Sequence, residues 1–342
     1  MSDIRVFGLG SSVDFSRRVE RGIREVTDDP NFSLSPIEES THDDGEPYFR
    51  ALENIRGSDV YIIQSLYGDV RCLQNEGSIS IVGESPNDKF VKMLMFADSL
   101  KDASADKITA VIPYLAYSRQ DRKVKSREPI YTKYIAKYIE SAGIDRVLTM
   151  DVHNLAAFQN AFRIQTDNLE AKNLIVDWVV ENVPDRDFVI LAPDAGGMGR
   201  AKRFRNALVN RLKRDIDVVY VDKSRIDGVA KGEKIIGDIK DKYAIILDDM
   251  IGSGKTVAIS QRAVESGGGK VWAVCATHGL FVGDANKHLA GIDRLVVTDT
   301  IYSDFRLSEK LKNSLTTIST AKLFAQAIRR THVGASISDL LK

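Results

Sequence analysis

The stretch AIILDDMIGSGKT, residues 244–256, sets the terms for the rest of the chain. Ile245, Ile246 and Leu247 form an apolar run that ends on two adjacent carboxylates, Asp248 and Asp249. Glycines and small hydroxyl residues follow, and then a periodic run from Val257 to Glu265. That order predicts a buried strand, a tight loop and the start of a helix. Gly252 and Gly254 let the backbone turn so that successive amides face one point. Ser253, Lys255, Thr256 and the helix N-terminus add to that field, which suits a phosphomonoester. The two carboxylates repel phosphate but accept hydrogen bonds from sugar hydroxyls or hold a cation, so the pattern points to a sugar phosphate. GSGKT ends like a Walker A loop, yet that motif needs glycine five positions before Gly254, where Asp249 stands. A plain strand–turn–helix corner would carry the same glycines. The carboxylate pair sets this stretch apart from one.

Outward from there, short apolar runs alternate with helical stretches along the whole chain. Candidate strands are 4–9, 60–64, 108–113, 146–150, 188–192, 218–222, 243–247, 271–276 and 295–298. Several are apolar on both faces, as parallel strands covered by helices must be. Pro86–Leu100 reads as a helix capped by Asn87 or Asp88, and Pro129 opens another that carries Ile135, Ile139 and Ala142 on one stripe. The alternation predicts an α/β protein with two mostly parallel sheets, split near residue 165, and 342 residues suffice for two cores. Lys+Arg and Asp+Glu both number 48, so no global basic field exists for nucleic acid or an anionic membrane. Cys72 and Cys275 are too few for a disulfide framework or a metal finger, and no run of membrane length occurs. The expectation is a soluble cytoplasmic protein.

Other polar clusters sit at strand ends. PYLAYSRQDRK (113–123) crowds Arg119, Arg122 and Lys123 with Tyr114, Tyr117 and Gln120 at the ligand-binding edge of a sheet, a mixture suited to polyphosphate and base together. A solvated charge run has much the same composition. TMDVHN places Asp151 and His153 just past a strand, and LAPDAGGMGRA ends a buried strand on Asp194, where a carboxylate could serve Mg²⁺. VDKSRID leads into GVAKGEK, a charged, glycine-bearing stretch without a helical stripe that reads as a mobile loop. THDDGE (41–46) alone reads as a turn, and His278 in ATHGLF reads as structural.

RQDRK, DVH, PDAGG, DKSR, DDMIGSGKT and ATHG occur in the order found in ribose-phosphate pyrophosphokinases (PRPP synthetases). The resemblance covers about residues 44–341, apart from an insertion over 66–85 whose SISIV run alternates like an edge strand. DDMIGSGKT also resembles the sugar loop of phosphoribosyltransferases, but those lack the RQDRK segment. The resemblance implies two phosphoribosyltransferase-type domains, 1–165 and 166–342, with the C-terminal helix a candidate to pack back on the first. It implies transfer of the β,γ-diphosphoryl unit of ATP to the 1-hydroxyl of ribose 5-phosphate, with Mg²⁺ as cofactor. Asp44, Gly45, Glu46, Arg119, Gln120, Asp121, Arg122 and His153 fall on its ATP positions. Asp194, Arg225, Asp248, Asp249, Gly252, Ser253, Gly254, Lys255 and Thr256 fall on its ribose-5-phosphate positions. His153 and Asp194 fall on its metal positions, and Lys223 with Arg225 on its catalytic ones. A homo-oligomer, dimer or hexamer, is implied as well.

Besides the insertion, the chain departs from the family at residues of two of its motifs. Gly252 replaces an aspartate, Ser253 a threonine and Lys255 a glycine, while His42 stands where the family has an aromatic ring against the base. A different acceptor, or a non-catalytic regulatory subunit, is the alternative these leave open.

Overall fold

Strand and helix alternate through two units, 1–170 with 320–342, and 171–319. The computed structural model describes residues 3–75, 78–183, 185–226 and 229–341, without the side chains of 72–81 and 223–233. The first unit begins with β1 (Ile4–Gly8), α1 (Val13–Thr27), β2 (Ile37–Thr41), β3 (Pro47–Ala51), β4 (Asp59–Ile63), β5 (Arg71–Asn75) and β6 (Ser78–Val82). It continues with α2 (Pro86–Asp102), β7 (Lys107–Ile112), α3 (Tyr131–Ser141), β8 (Arg146–Met150), α4 (Leu155–Ala161) and β9 (Gln165–Leu169). The second unit runs α5 (Lys172–Asn182), β10 (Phe188–Ala192), α6 (Met198–Leu212), β11 (Asp217–Ile226), β12 (Val229–Ile236) and β13 (Tyr243–Ile251). It ends with α7 (Lys255–Ser266), β14 (Lys270–Gly279), α8 (Ala285–His288), β15 (Leu295–Thr298), α9 (Glu309–Ser314) and β16 (Leu315–Ile318). The last helix, α10 (Ala321–His332), belongs to the first unit.

The first unit's main sheet has the order β1-β4-β7-β8-β9, all parallel. Its central strands are buried on both faces, as their unbroken apolar runs require. Helix α10 closes the unit against α1, where Gly22 allows a close approach. A Cβ there would stand 2.8 Å from that of Ala325, and Phe15 meets Phe324 edge-on at 5.6 Å. The second sheet has the order β12-β11-β10-β13-β14-β15-β16. Strand order reverses between β10 and β13, which pair in parallel with Leu191 beside Ile246. In an open α/β sheet such a switch point leaves a crevice outside the carboxyl ends of the two strands.

Local chemistry corrects two expectations. Helix α2 is capped by Ser85, not by Asn87 or Asp88. Asp88 is three residues in, where its carboxylate accepts from the Ser85 amide while the Ser85 hydroxyl accepts from the Asp88 amide, a capping box. The stretch after Lys223, read as a loop, is over its described residues an antiparallel pair, β11 with β12. Val229, Ile235 and Ile236 supply β-forming residues that the charge around them obscured.

The insertion is a two-stranded hairpin, β5 with β6, rooted on α2 and the first loop of the chain. At its base the Asp69 amide donates to the Glu84 carbonyl at 2.9 Å, and the Glu84 amide donates to Asp69 Oδ1 at 2.6 Å. Lys89, wholly buried, puts Nζ 3.0 Å from Asp69 Oδ2 and 3.9 Å from the centre of the Tyr67 ring. Lys92 bridges Glu84 and Glu39, and Glu39 accepts from the Gly10 amide at 2.9 Å. No described helix is long and apolar enough to cross a membrane.

Candidate active site

The residues singled out above fall in two groups, one on each unit. In the second unit Asp194 and the pair Asp248 and Asp249 lie at the ends of the two strands that form the switch point. Asp194 follows β10 and is exposed, with Oδ1 accepting the Gly197 amide at 3.1 Å. Asp248 and Asp249 close the apolar part of β13, and Asp249 is buried at 4% exposure. The Asp249 amide donates to Asp248 Oδ1 at 2.9 Å. Arg200, in the first turn of α6, reaches both carboxylates, 3.5 Å from Asp248 Oδ1 and 3.6 Å from Asp249 Oδ1.

Burial, and then the charge of Asp249 beside it, push the Asp248 carboxyl well above the usual carboxylate range, while Arg200 opposes the rise. A pair that keeps one proton can both donate to and accept from neighbouring sugar hydroxyls. The loop beyond it turns at Gly254, φ +72°, which caps α7. Lys255 is exposed, Gly252, Ser253 and Thr256 are half-buried, and a Cβ at Gly252 would meet nothing within 4 Å. The Gly252 position therefore opens on free space rather than on a neighbouring side chain.

In the first unit the loops after β7 and β8 are tied together. Asn154 donates through Nδ2 to Asp121 Oδ2 at 2.6 Å, and Gln120 offers its carbonyl to Thr132 at the start of α3. Asp151 takes a left-handed backbone, φ +40°, uncommon for a residue with a side chain. Arg119, Arg122 and His153 are exposed around this link, with Gln120 and Asp121 half-buried. Asp44, Gly45 and Glu46 form the turn of the β2–β3 hairpin, where the His42 amide donates to the Glu46 carbonyl at 2.8 Å. The His42 ring lies 6.3 Å from that of Tyr48. Lys223 and Arg225 are on β11, in register with Glu233 and Ala230 across a register shift; their side chains lie outside the described residues.

Among the described residues no group of three or more His, Cys, Asp or Glu converges to hold a metal. Mg²⁺ is ordinarily held by one or two carboxylates together with substrate phosphates and water, and the exposed Asp194 fits that use. His153, a nitrogen donor, fits a hard cation less well.

Sequence reading missed three contributors. Arg200 had a signal: a cation in the first turn of a helix opposes the helix dipole and so implies an acidic partner. Asn154 had only its neighbours in TMDVHN. His288, whose Nδ1 lies 2.7 Å from the Ser253 carbonyl, had none.

Comparison with known proteins places the whole chain beside one family. Residues 4–143 match the family model of the N-terminal domain of ribose phosphate pyrophosphokinase, and residues 226–342 match that of the phosphoribosyl synthetase-associated domain. Ribose-phosphate pyrophosphokinase A of Dictyostelium discoideum is 38% identical over 319 residues, 92% of this chain and 93% of that protein. The ribose-phosphate pyrophosphokinase of Haemophilus ducreyi is 34% identical over 346 residues, 99% of each chain. Among solved structures, phosphoribosylpyrophosphate synthetase from Mycobacterium smegmatis superposes with a TM-score of 0.83 at 26% identity, covering 98% of this chain and all of that one.

Proposed function

The chain belongs to the ribose-phosphate pyrophosphokinase family, and we propose on that premise that it makes 5-phosphoribosyl 1-diphosphate and AMP from ATP and ribose 5-phosphate. The observation that carries the acceptor's identity is the seat at the β10–β13 switch point. A carboxylate pair there stands directly before a loop of small residues that opens a helix. The phosphate of the sugar takes the amides and hydroxyls of 252–256, and its ring hydroxyls take Asp248 and Asp249. Arg225 is assigned to the sugar side as well.

On the first unit, Arg119, Gln120, Asp121 and Arg122 with His153 hold the nucleotide and its phosphates, and Asp44, Gly45 and Glu46 meet the base. The 1-hydroxyl attacks the β-phosphorus; the bond from that phosphorus to the oxygen it shares with the α-phosphate breaks, AMP leaves and the hydroxyl proton is released. Lys223 and Arg225 set positive charge against the group in flight. Such transfers depend mainly on positioning and fixed charge. Mg²⁺, held by Asp194 and the substrate phosphates with His153 nearby in role, would neutralise phosphate charge. A homo-oligomeric, cytoplasmic enzyme is the setting we assign. The buried free thiol of Cys275, pushed up to about 12 by burial, agrees with a reducing compartment.

The direct test is AMP release from Mg-ATP with and without ribose 5-phosphate, with mass detection of the sugar product. AMP formed only with the sugar, together with the diphosphate ester, is expected. Sugar and nucleotide both bound without turnover would point to a regulatory subunit, and turnover with another sugar phosphate alone to a different acceptor.

A further inference from the structure

The loop that seats the acceptor is held from behind by one segment, residues 280–288. The Leu280 and Phe281 amides donate to the Ile251 carbonyl at 2.9 and 3.1 Å, and the Val282 amide donates to the Gly252 carbonyl at 3.1 Å. The third carbonyl in the series, that of Ser253, receives His288 Nδ1 at 2.7 Å. A carbonyl oxygen can only accept, so this nitrogen carries a proton and the tautomer is fixed. Each peptide is planar and trans, so its N–H points opposite its C=O. Three carbonyls drawn toward 280–288 therefore turn the amides of Gly252, Ser253 and Gly254 to the other side. From that side the loop can present its amides to an anion.

Two of these three restraints are backbone to backbone and do not depend on side-chain identity. The third depends on His288 alone. It acts where the chain most needs a restraint, since Gly254 sits at φ +72° with no side chain of its own. His288 is a firm anchor. Ala285 and Leu289 on either side of it are buried, and its amide donates to the Asp284 carbonyl at 3.0 Å. Its Cβ and the Leu289 side chain also crowd Gly254, at 3.2 and 3.0 Å from where a Cβ would stand.

We propose that His288 is a positioning residue for the acceptor phosphate, holding the Ser253–Gly254 peptide so that the Gly254 amide faces a sugar phosphomonoester. The proposal rests on the family reading for which sugar is bound, and on the loop's hydrogen bonds for the rest.

Three variants of the full chain separate the roles. In His288→Asn the amide nitrogen stands as many bonds from Cβ as Nδ1 and can still donate to the Ser253 carbonyl. In His288→Gln the donor is one bond further out, and in His288→Leu there is none. The KM for ribose 5-phosphate, and its Kd by calorimetry, are expected to rise about tenfold in the Gln and Leu variants, the worth of one oriented hydrogen bond. KM for ATP should stay within about twofold, as a site on the other unit should, and Asn should restore the wild-type constants. An unchanged ribose 5-phosphate constant in the Leu variant, a parallel rise in both substrates' constants, or an Asn variant no better than Leu would overturn the proposal. Wild-type protein that binds ribose 5-phosphate without forming AMP sinks the activity instead, and the Kd series still decides on His288. Wild-type protein that binds no ribose 5-phosphate overturns both.

Discussion

Lys223→Ala is expected to lower kcat for AMP formation by about a thousandfold, while the Kd for ATP stays within about twofold. The reacting β-phosphorus carries its charge on oxygens that protein groups can only neutralise, and a fixed cation is worth most where that charge builds up. Lys223 is assigned to that place. The residues assigned to hold ATP come from the β2–β3 turn and the loops after β7 and β8, all on the first unit, while Lys223 stands on β11 of the second. Losing it therefore removes a contact of the transition state and leaves ground-state nucleotide binding largely alone. Single-turnover quench experiments, with ATP binding measured separately, read the two quantities. A kcat within about threefold of wild type would take Lys223 out of the transfer step.

The second large effect is on stability. Asp69→Ala is expected to cost about 3 kcal/mol, because it takes a counter-charge at 3.0 Å from Lys89, a lysine with no solvent exposure. It also removes the acceptor for the Glu84 amide, which ties together the two roots of the β5–β6 hairpin. Adding Lys89→Met should recover much of the loss, since an apolar side chain of similar volume no longer needs a partner there.

The pair also gives a pH signature. Burial alone would raise the Asp69 carboxyl, but the Glu84 amide and Lys89 outweigh it and hold Asp69 below the usual carboxylate value. A lowered value means that the stabilisation is fully present above the ordinary carboxylate range and is lost as pH falls through the lowered one. The gap between wild type and Asp69→Ala in urea denaturation should thus be widest at neutral pH and narrow in acid. A gap below about 1 kcal/mol at neutral pH, or one that widens on acidification, would contradict this account.

The sequence made the inner strands legible because strands such as β4, β7, β10 and β13 are apolar on both faces, which few other structures require. The edge strands β9 and β16 escaped for the opposite reason. QTDNL of β9 and LTTI of β16 are polar and half-covered, and a polar edge strand looks like a loop in one dimension. The second unit's carboxylates and glycines were visible because they cluster at the ends of apolar runs. Their supports were not. Arg200 is 48 residues before Asp248 in sequence and His288 is 35 after Ser253, and only the pairing of β10, β13 and β14 brings them together. A hydrogen bond from a lone histidine to a carbonyl has no pattern for a sequence to carry.

The packing of α10 against α1 has a consequence for how the protein comes to be made. A ribosome releases the first unit's five-stranded sheet early, but the helix that completes this unit is encoded after the whole of the second one. Until then the face of α1 that carries Phe15 and Gly22 lacks its cover. The second unit, continuous from 171 to 319, can reach its fold during synthesis before the first is complete, because the first needs α10, which is made later. The unit assigned to ATP is thus begun before the other and completed after it, and in the interval the apolar face of α1 is a nascent-chain surface without its partner helix.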